Sequence, residues 1–557
     1  MTGNIKDEMR IALAQLNPLV GDLDGNAEKA RRARGQAAES GADLIVLSEL
    51  FITGYPPEDL ILKPAFAAAA RDEVERLAKD TADGGPAIIV GTPWAEDGKV
   101  FNSAAYLDRG RVEALRHKVD LPNYGVFDEK RVFAPGPMPG PVNMRGVRVG
   151  VPICEDIWHE EVAECLAETG AELLIVPNGS PYSESKLDVR LNHAVSRVAE
   201  TGLPLLYINQ MGGQDELVFD GASFALNPGS GLALQMPAWE EGVVVSDWRR
   251  EEGAWVCAKG AMAVLEEADE AHYLACVTGL RDYVVKNGFP SVVLGLSGGI
   301  DSALTAAIAA DALGPQKVRC VMLPYRYTSN ASLSDAAEVA ENLGCRYDIV
   351  PIYDAVEGLA ASLKPLSDGE GTGTAEENIQ SRARGTILMA ISNMYGPMLV
   401  TTGNKSEVSV GYATLYGDMA GGFNPIKDLY KTQVYALARL RNAKRPKGCL
   451  GAEGAVIPET ILTKAPTAEL KENQTDQDTL PPYDVLDDIL KCLIEKEMPL
   501  KEIVARGHEP QTVSKVERML YVAEYKRRQA APGVKISSRN FGRDRRYPIT
   551  NRFRETL

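Results

Sequence analysis

The sequence predicts an α/β protein in two halves: layered sheets and helices first, then a doubly wound parallel sheet. Three observations predict it. Strand-like and helix-like segments alternate through residues 8–248, with an antiparallel hairpin among them. Four apolar strand segments, each followed by a helical one, recur between residues 291 and 402, the pattern of parallel strands joined by right-handed crossovers. The length, 557 residues, exceeds what one hydrophobic core ordinarily organises and suits two or three domains.

In the first half, residues 10–14 read as a strand and 26–40 as a helix that Gly41 ends. Residues 43–49 (DLIVLSE) and 87–92 read as buried strands. Residues 102–108 and 112–119 flank Arg109–Gly110 as a hairpin. A strand over 147–153 is expected to run into a helix through Ala167, and 171–177 is again a strand. Residues 251–270 read as an irregular connector. The second half opens with a helix over 271–287, followed by strands at 291–295, 318–323, 348–352 and 398–402. Two stretches read as loops. One is 366–374, rich in Gly, Ser and Thr; the other is 444–480, broken by Pro and Gly and long enough to serve as a lid. There is no internal repeat.

Charged residues at 25% and apolar residues at 45% describe a globular chain. The net charge of −17 argues against generic nucleic-acid binding. No apolar run has membrane-spanning length and the start lacks a signal-like core, so a cytoplasmic protein without membrane contact is expected. Eight scattered cysteines form no CxxC pair, which argues against a zinc ribbon and a disulfide scaffold. The C-terminus is locally basic, with Lys526, Arg527, Arg528, Lys535, Arg539, Arg543, Arg545, Arg546, Arg552 and Arg554. Charge alone leaves two readings open there: a grip on a phosphorylated substrate or partner subunit, or a solvated tail.

The first chemical motif follows the strand ending at Gly295: Ser297-Gly298-Gly299-Ile300-Asp301-Ser302, with a strong helix over 303–313. Strand, glycine turn and helix N-terminus make an anion cradle, because free N–H groups and the helix dipole face one point. The glycines allow close approach, and Ser297 and Ser302 add hydroxyl donors. No lysine stands where a P-loop would hold a transferring terminal phosphate. SGGxDS resembles the pyrophosphate-binding loop of the ATP pyrophosphatases, which adenylate a carbonyl or carboxylate. Downstream stand 402–407 (TGNKSE), Tyr416-Gly417-Asp418, Pro425, Lys431, 466–470 (PTAEL) and 474–476 (QTD). Over most of residues 270–557 these resemble the NAD+ synthetase branch of that family. The resemblance implies ATP at Gly295, Ser297, Gly298, Gly299, Asp301, Ser302, Thr402, Lys431 and Thr467. It implies deamido-NAD+ at Asn378, Glu407, Asp418 and Lys526. It places Mg2+ on Asp301 and Glu407, whose hard oxygens suit that ion.

The second motif is dispersed. Glu49, Lys118 and Cys154 each close a strand-like segment, flanked by Tyr55-Pro56-Pro57, Asn102-Ser103 and Glu155-Asp156. In that order, over residues 8–248, they resemble the nitrilase superfamily, whose fold is a layered αββα sandwich. The chemistry explains the residue types. A thiolate attacks an amide, a carboxylate takes the thiol proton and activates water, and an ammonium stabilises the oxyanion. A helix after Cys154 is expected to lower the thiol pKa. By resemblance to the glutaminase members, Tyr124, Ser180 and Lys186 bind glutamine; Lys186 stands where some relatives carry Arg, and holds a carboxylate as a point charge.

Together the halves resemble an NAD+ synthetase that draws ammonia from a fused glutaminase, passed along a water-poor path that keeps it unprotonated. That implies a glutaminase over 8–248, a connector over 249–270, a synthetase with a basic tail over 271–557, and a homo-oligomer. Competing readings are an ammonia-only synthetase with an inert first half, an amidotransferase making another amide, and a nucleotide sensor without turnover.

Overall fold

Alternation along the first strand sets the layers of the N-terminal half. In β1 (Glu8–Gln15), Ile11 and Leu13 turn into one core while Ala12 and Ala14 turn into another. The computed structural model describes residues 7–366, 373–472 and 474–556, and falls into two units, Met1–Glu266 and Glu267–Leu557.

The first unit carries β1, β2 (Leu44–Val46), β3 (Ala87–Glu96), β4 (Lys99–Asp108), β5 (Arg111–His117), β6 (Val142–Met144), β7 (Val147–Gly150), β8 (Leu173–Asn178) and β9 (Leu205–Asn209). It continues through β10 (Met211–Gln214), β11 (Leu217–Asp220), β12 (Phe224–Leu226), β13 (Leu232–Gln235), β14 (Gly242–Glu251) and β15 (Ala254–Cys257). Two sheets result, β15-β14-β1-β2-β3-β4-β5 and β13-β12-β9-β8-β7-β6, with β10 and β11 paired apart. Ile11, Val46 and Ile89 of one sheet meet Val149, Ile175 and Ile208 of the other in a shared core. Outside the first sheet, α1 (Leu23–Glu39) and α2 (Pro64–Asp80) bury Ala30, Val74 and Leu77 against Ile45 and Ile88. Outside the second, α3 (Glu161–Glu168) and α4 (Lys186–Thr201) bury Leu166 and Val198 against Leu174 and Val176. The layers are therefore αββα.

Three expectations need correction here. The strand expected to reach Glu49 stops at Val46; beyond it Leu50 takes a left-handed φ of 47°. Gly91 of β3 permits this, since a Cβ there would lie 2.2 Å from the Leu50 nitrogen. The connector is not irregular throughout. Residues 254–257 form β15, paired with β14 because Trp248, Trp255 and Cys257 are all buried in the inter-sheet core. The helix expected directly after residue 153 is a single 3-10 turn, Cys154–Ile157, and α3 begins only at Glu161.

The second unit opens with α5 (Ala268–Lys286), then alternates β16 (Val292–Gly295), α6 (Ile300–Leu313), β17 (Val318–Met322), α7 (Asn330–Leu343), β18 (Arg346–Ile349), α8 (Tyr353–Leu363), α9 (Thr374–Tyr395) and β19 (Met398–Leu399). The four strands are parallel in the order β18-β17-β16-β19. Strand order reverses between β16 and β19, so a crevice opens at their C-terminal ends, where such sheets bind ligands. β18 starts two residues before the expected 348, and β19 is shorter than expected because Val400 turns to bridge Phe423. Residues 367–372, most of the expected 366–374 loop, lie outside the described residues. The 444–480 stretch contains a short helix, Glu459–Thr463, and a 3-10 turn, Asp476–Asp478. The solvated-tail reading fails for part of the basic C-terminus: Arg527 and Arg545 are buried against Glu524, and Lys535 against Asp544. Among the described residues, no helix is long and apolar enough to cross a membrane.

α6 is buried nearly all round, and Asp311 on it is held by Arg441 at 2.6 Å and by the Tyr273 hydroxyl at 2.6 Å. Arg441 also donates to the Ala452 and Gly454 carbonyls, fixing the start of the long loop. Arg441→Met leaves Asp311 without its counter-charge. A loss of roughly 3–5 kcal/mol is expected, read as a lower urea midpoint for the second unit; an unchanged midpoint contradicts the role given to the pair.

Candidate active sites

In the first unit the polypeptide places Glu49 beyond β2, Lys118 immediately after β5, and Cys154 at the start of the 3-10 turn beyond β7. All three side chains are buried. The Lys118 ammonium donates to Glu49 Oε1 at 2.7 Å and to both oxygens of Glu129 at 3.0 Å. Glu49 Oε1 also accepts from the Asn102 amide at 2.7 Å, and its Oε2 from the Gly179 N–H at 2.9 Å. The Tyr55 hydroxyl donates to Glu129 at 2.9 Å. One ammonium thus serves two carboxylates, each given further donors.

Burial works against the charge on Lys118, yet Glu129 and Glu49 hold its pKa well above the usual lysine value. Burial pushes Glu129 up to about 7, with Lys118 opposing. Burial also pushes the Cys154 thiol well up, and Glu49 adds to this while Lys118 pulls the other way. The expected depression by a following helix does not occur, since only one 3-10 turn follows and the surrounding charge is mostly negative. Burial and the neighbouring carboxylates thus both favour the thiol form of Cys154. Its backbone is left-handed, with φ 48°, a strained conformation for a residue other than glycine.

Asp156 locks this geometry. Its Oδ1 accepts from the N–H groups of Val119 and Asp120 at 2.9 and 2.8 Å, and its Oδ2 from Ile153 at 2.9 Å. The segments carrying Lys118 and Cys154 are thereby tied together. A cavity of about 570 Å³ lies beside them, lined by Tyr124, Glu155, Lys130 and His159. The Tyr124 hydroxyl donates to Glu155 at 2.9 Å. Lys186, first residue of α4, rests its ammonium 4.0 Å over the Trp158 ring, and its charge acts on Glu155. Ser180 is buried one residue beyond Gly179, its Oγ accepting from Arg190 at 3.0 Å. Arg190, paired with Asp220 at 2.7 Å, holds the Ser180 and Pro181 carbonyls as well.

Sequence reasoning missed Glu129 and Arg190, and gave Tyr55, Asn102, Glu155 and Asp156 no role. Glu129 stands in the run Asp128–Arg131, which reads as solvated surface. Only the tertiary fold buries it.

In the second unit, Gly295, Ser297, Gly299, Asp301, Ser302, Asn378, Thr402, Glu407, Asp418, Lys431 and Thr467 all line one cavity of about 480 Å³ at the strand ends. α6 begins at Ile300, three residues earlier than expected, so Asp301 and Ser302 lie in its first turn. The Ser297 and Ser302 hydroxyls lie 3.1 Å apart, and the Ser297 N–H donates to Ser302 Oγ at 3.2 Å. They brace the loop rather than standing free as donors. Gly298 has φ 80°, and a Cβ there would lie 2.4 Å from the Ser332 carbonyl oxygen. Packing against α7 demands that glycine, and its position is behind the cavity lining. Lys526 also stands behind the lining, donating to the Gly411 and Ala413 carbonyls at 2.8 and 2.6 Å.

Here too one ammonium serves two carboxylates. Lys431, at the start of α11 (Lys431–Ala443), donates to Asp301 at 2.5 Å and to Glu407 at 3.0 Å. Asn404 caps α10 (Lys405–Val410) by accepting from the Glu407 N–H at 3.0 Å, and donates to Asp301 at 2.7 Å. Burial pushes Glu407 up to about 7 against the pull of Lys431. Burial likewise raises Asp418 to about 6, though the Thr414 N–H donates to it at 2.8 Å. Asn378 accepts from the Thr414 hydroxyl at 3.0 Å. Two hard carboxylates converging on one cation are a donor set that fits Mg2+ in company with phosphate oxygens and water.

Comparison with known proteins covers both halves of the chain. The carbon-nitrogen hydrolase family model matches residues 10–254, and the NAD synthase family model matches residues 272–530. A glutamine-dependent NAD(+) synthetase of Rhodobacter capsulatus is 52% identical over 549 residues, covering 99% of both chains. One from Thermotoga maritima is 42% identical over 581 residues, covering 99% of this chain and all of its own. The solved structure of glutamine-dependent NAD+ synthetase from Acinetobacter baumannii with adenosine diphosphate superimposes with TM-score 0.78 at 41% identity, covering 97% of this chain and 98% of its own.

The buried cluster around Lys118 makes a prediction about the thiol. Glu129→Gln removes a negative charge near Cys154 and leaves Lys118 freer to face the sulfur; both changes lower the thiol pKa. Alkylation of Cys154 by iodoacetamide at pH 8 should therefore accelerate, about tenfold for each pKa unit lost. Mass spectrometry of the modified peptide reads the rate, and slower or unchanged alkylation contradicts the charge balance drawn here.

Proposed function

The chain belongs to the glutamine-dependent NAD(+) synthetases, and we propose from that membership how its residues divide the work. The enzyme amidates deamido-NAD+ to NAD+ in an ATP-dependent reaction, with nitrogen from glutamine and with AMP and pyrophosphate as products. Residues 8–248 act as the glutaminase and 271–557 as the synthetase.

In the glutaminase, Tyr124, Ser180 and Lys186 hold glutamine, Lys186 offering its ammonium to the substrate carboxylate. Glu49 takes the Cys154 proton as sulfur attacks the amide carbon. Lys118, already an ammonium, supports the oxyanion. Collapse expels ammonia as Glu49 returns that proton to the departing nitrogen, leaving a thioester. Glu49, again a carboxylate, then takes a proton from the water that hydrolyses it to glutamate and returns that proton to the Cys154 sulfur. Glu129 keeps Lys118 charged and in place.

In the synthetase, the Ser297–Ser302 loop and the start of α6 receive the ATP phosphates, with Thr402, Lys431 and Thr467 completing the site. Asp301 and Glu407 would hold Mg2+, which supplies charge neutralisation to the departing pyrophosphate. Asn378 and Asp418 orient deamido-NAD+ so that its carboxylate meets the α-phosphate, and Lys526 acts from behind them by holding the Gly411 and Ala413 carbonyls. Ammonia from the first centre then displaces AMP. The enzyme works in the cytoplasm as a homo-oligomer; exposed Leu359, Leu363, Met394 and Tyr395 on α8 and α9 support self-association, which light scattering tests.

The observation that carries this reading is that Cys154, with the Lys118–Glu49 pair acting on it, shares a chain with the Asp301–Lys431–Glu407 centre. Cys154→Ala should abolish NAD+ formation from glutamine and retain it from ammonium; loss of both contradicts the division of labour. Adding ATP and deamido-NAD+ should raise glutamine hydrolysis by the wild type, and unchanged turnover would show that the centres are not coupled.

A further inference from the structure

The long loop of the second unit is fastened to α7 by two separate ties. Asp335 accepts from the Thr460 hydroxyl at 2.6 Å and from the Lys464 ammonium at 2.7 Å. One turn earlier on α7, Glu469 accepts from the Ser329 hydroxyl at 2.8 Å and the Ser332 hydroxyl at 2.9 Å, with the Ser329 N–H at 3.4 Å. Ser329 is the N-cap of α7, so the Glu469 carboxylate lies where the helix dipole favours negative charge. Beyond Glu469 the loop reaches the opposite wall, where the Gln380 amide of α9 donates to the Leu470 carbonyl at 3.0 Å. Between the anchors Thr467 faces the cavity, tied to Gln474 at 2.6 Å and accepting from the Glu469 N–H at 3.2 Å. Glu469 itself is bent into a left-handed φ of 48°. An acidic side chain beside a polyphosphate pocket would repel its ligand if free, and here three donors of α7 engage it.

We propose that Glu469 is a positioning residue of the synthetase: by filling the N-terminal seat of α7 it straps residues 464–470 across the nucleotide cavity and sets Thr467 against ATP. This rests on the reading of that cavity as the ATP site. The same α7 turn packs on the Gly298 backbone of the anion loop, so α7 braces the cavity floor and anchors its strap. Although Glu469 borders the same cavity, its carboxylate is engaged by α7, and it acts through Thr467 and the loop.

The test is ammonium-supported NAD+ synthesis by the full chain as ATP is varied. Glu469→Ala should raise KM for ATP about tenfold or more, the worth of a charge-assisted hydrogen-bond pair, while kcat at saturating ATP falls far less. Ser332→Ala removes one donor to Glu469 and should raise KM less; in the Glu469→Ala background it should add nothing further. Glu469→Gln, which keeps an acceptor, should restore part of the loss. Trypsin cleavage after Lys464 and Lys471 gives a second readout. ATP should slow cleavage in the wild type and protect Glu469→Ala only at correspondingly higher concentration. An unchanged KM and unchanged protection in Glu469→Ala overturn the strap. Wild type that makes no NAD+ at any ATP concentration overturns the reading of the cavity instead.

Discussion

In both units a single buried lysine ammonium sits between two carboxylates, and much of the surrounding chain holds it there. Lys118 lies between Glu49 and Glu129, and Lys431 between Asp301 and Glu407. Taking such groups from water costs several kcal/mol per ion, repaid only when geometry is good and the remaining lone pairs are satisfied. The first cluster meets that demand with Asn102, Tyr55 and the Gly179 N–H; the second does so with Asn404. Burial raises one carboxylate of each cluster to about 7, Glu129 in the first and Glu407 in the second. In the first, burial and the nearby carboxylates favour the thiol form of Cys154. In the second, Asp301 and Glu407 are a donor set that fits a divalent cation.

The architectures differ, but they place these clusters by the same means. Side chains gather where strands stop and the chain turns. Glu49, Lys118 and Cys154 follow the ends of β2, β5 and β7, and the SGGxDS loop leaves the end of β16. Close backbone contacts then fix the turns. Gly91 admits the bend after Glu49, and Gly298 admits α7 against the anion loop. Rigid sheets supply the precision, and short segments beyond them supply the chemistry.

Much of this was legible in the sequence because the residues involved are punctuated by strands, glycines and helix starts. Alternating segments such as residues 10–14 and 171–177 mark a layered first half, whose αββα order comes from the nitrilase resemblance, and four βα repeats mark the parallel sheet. The three members of the Glu–Lys–Cys set lie far apart in sequence, and only their common position at strand ends marks them. What stayed hidden has one physical cause: burial that local pattern does not encode. Glu129 looks like surface charge and is buried. β15 is too short to show a period and exists because Trp255 and Cys257 complete the core beside Trp248. The turn at Cys154 is a single 3-10 turn rather than an α-helix, and Asp156 accepts from the backbone of Val119, Asp120 and Ile153, drawing two distant segments together.

The central claim is that nitrogen freed at Cys154 becomes the amide formed at the Asp301–Lys431 centre. The most direct measurement supplies the full-length enzyme with ATP, Mg2+, deamido-NAD+ and glutamine carrying 15N in its amide, in the presence of unlabelled ammonium. Mass spectrometry of the NAD+ then reads the origin of the carboxamide nitrogen. The account predicts 15N in the product well above its share of total free ammonium. Product carrying the isotope ratio of the bulk solution would contradict direct delivery between the centres, and product without 15N would contradict the glutaminase itself.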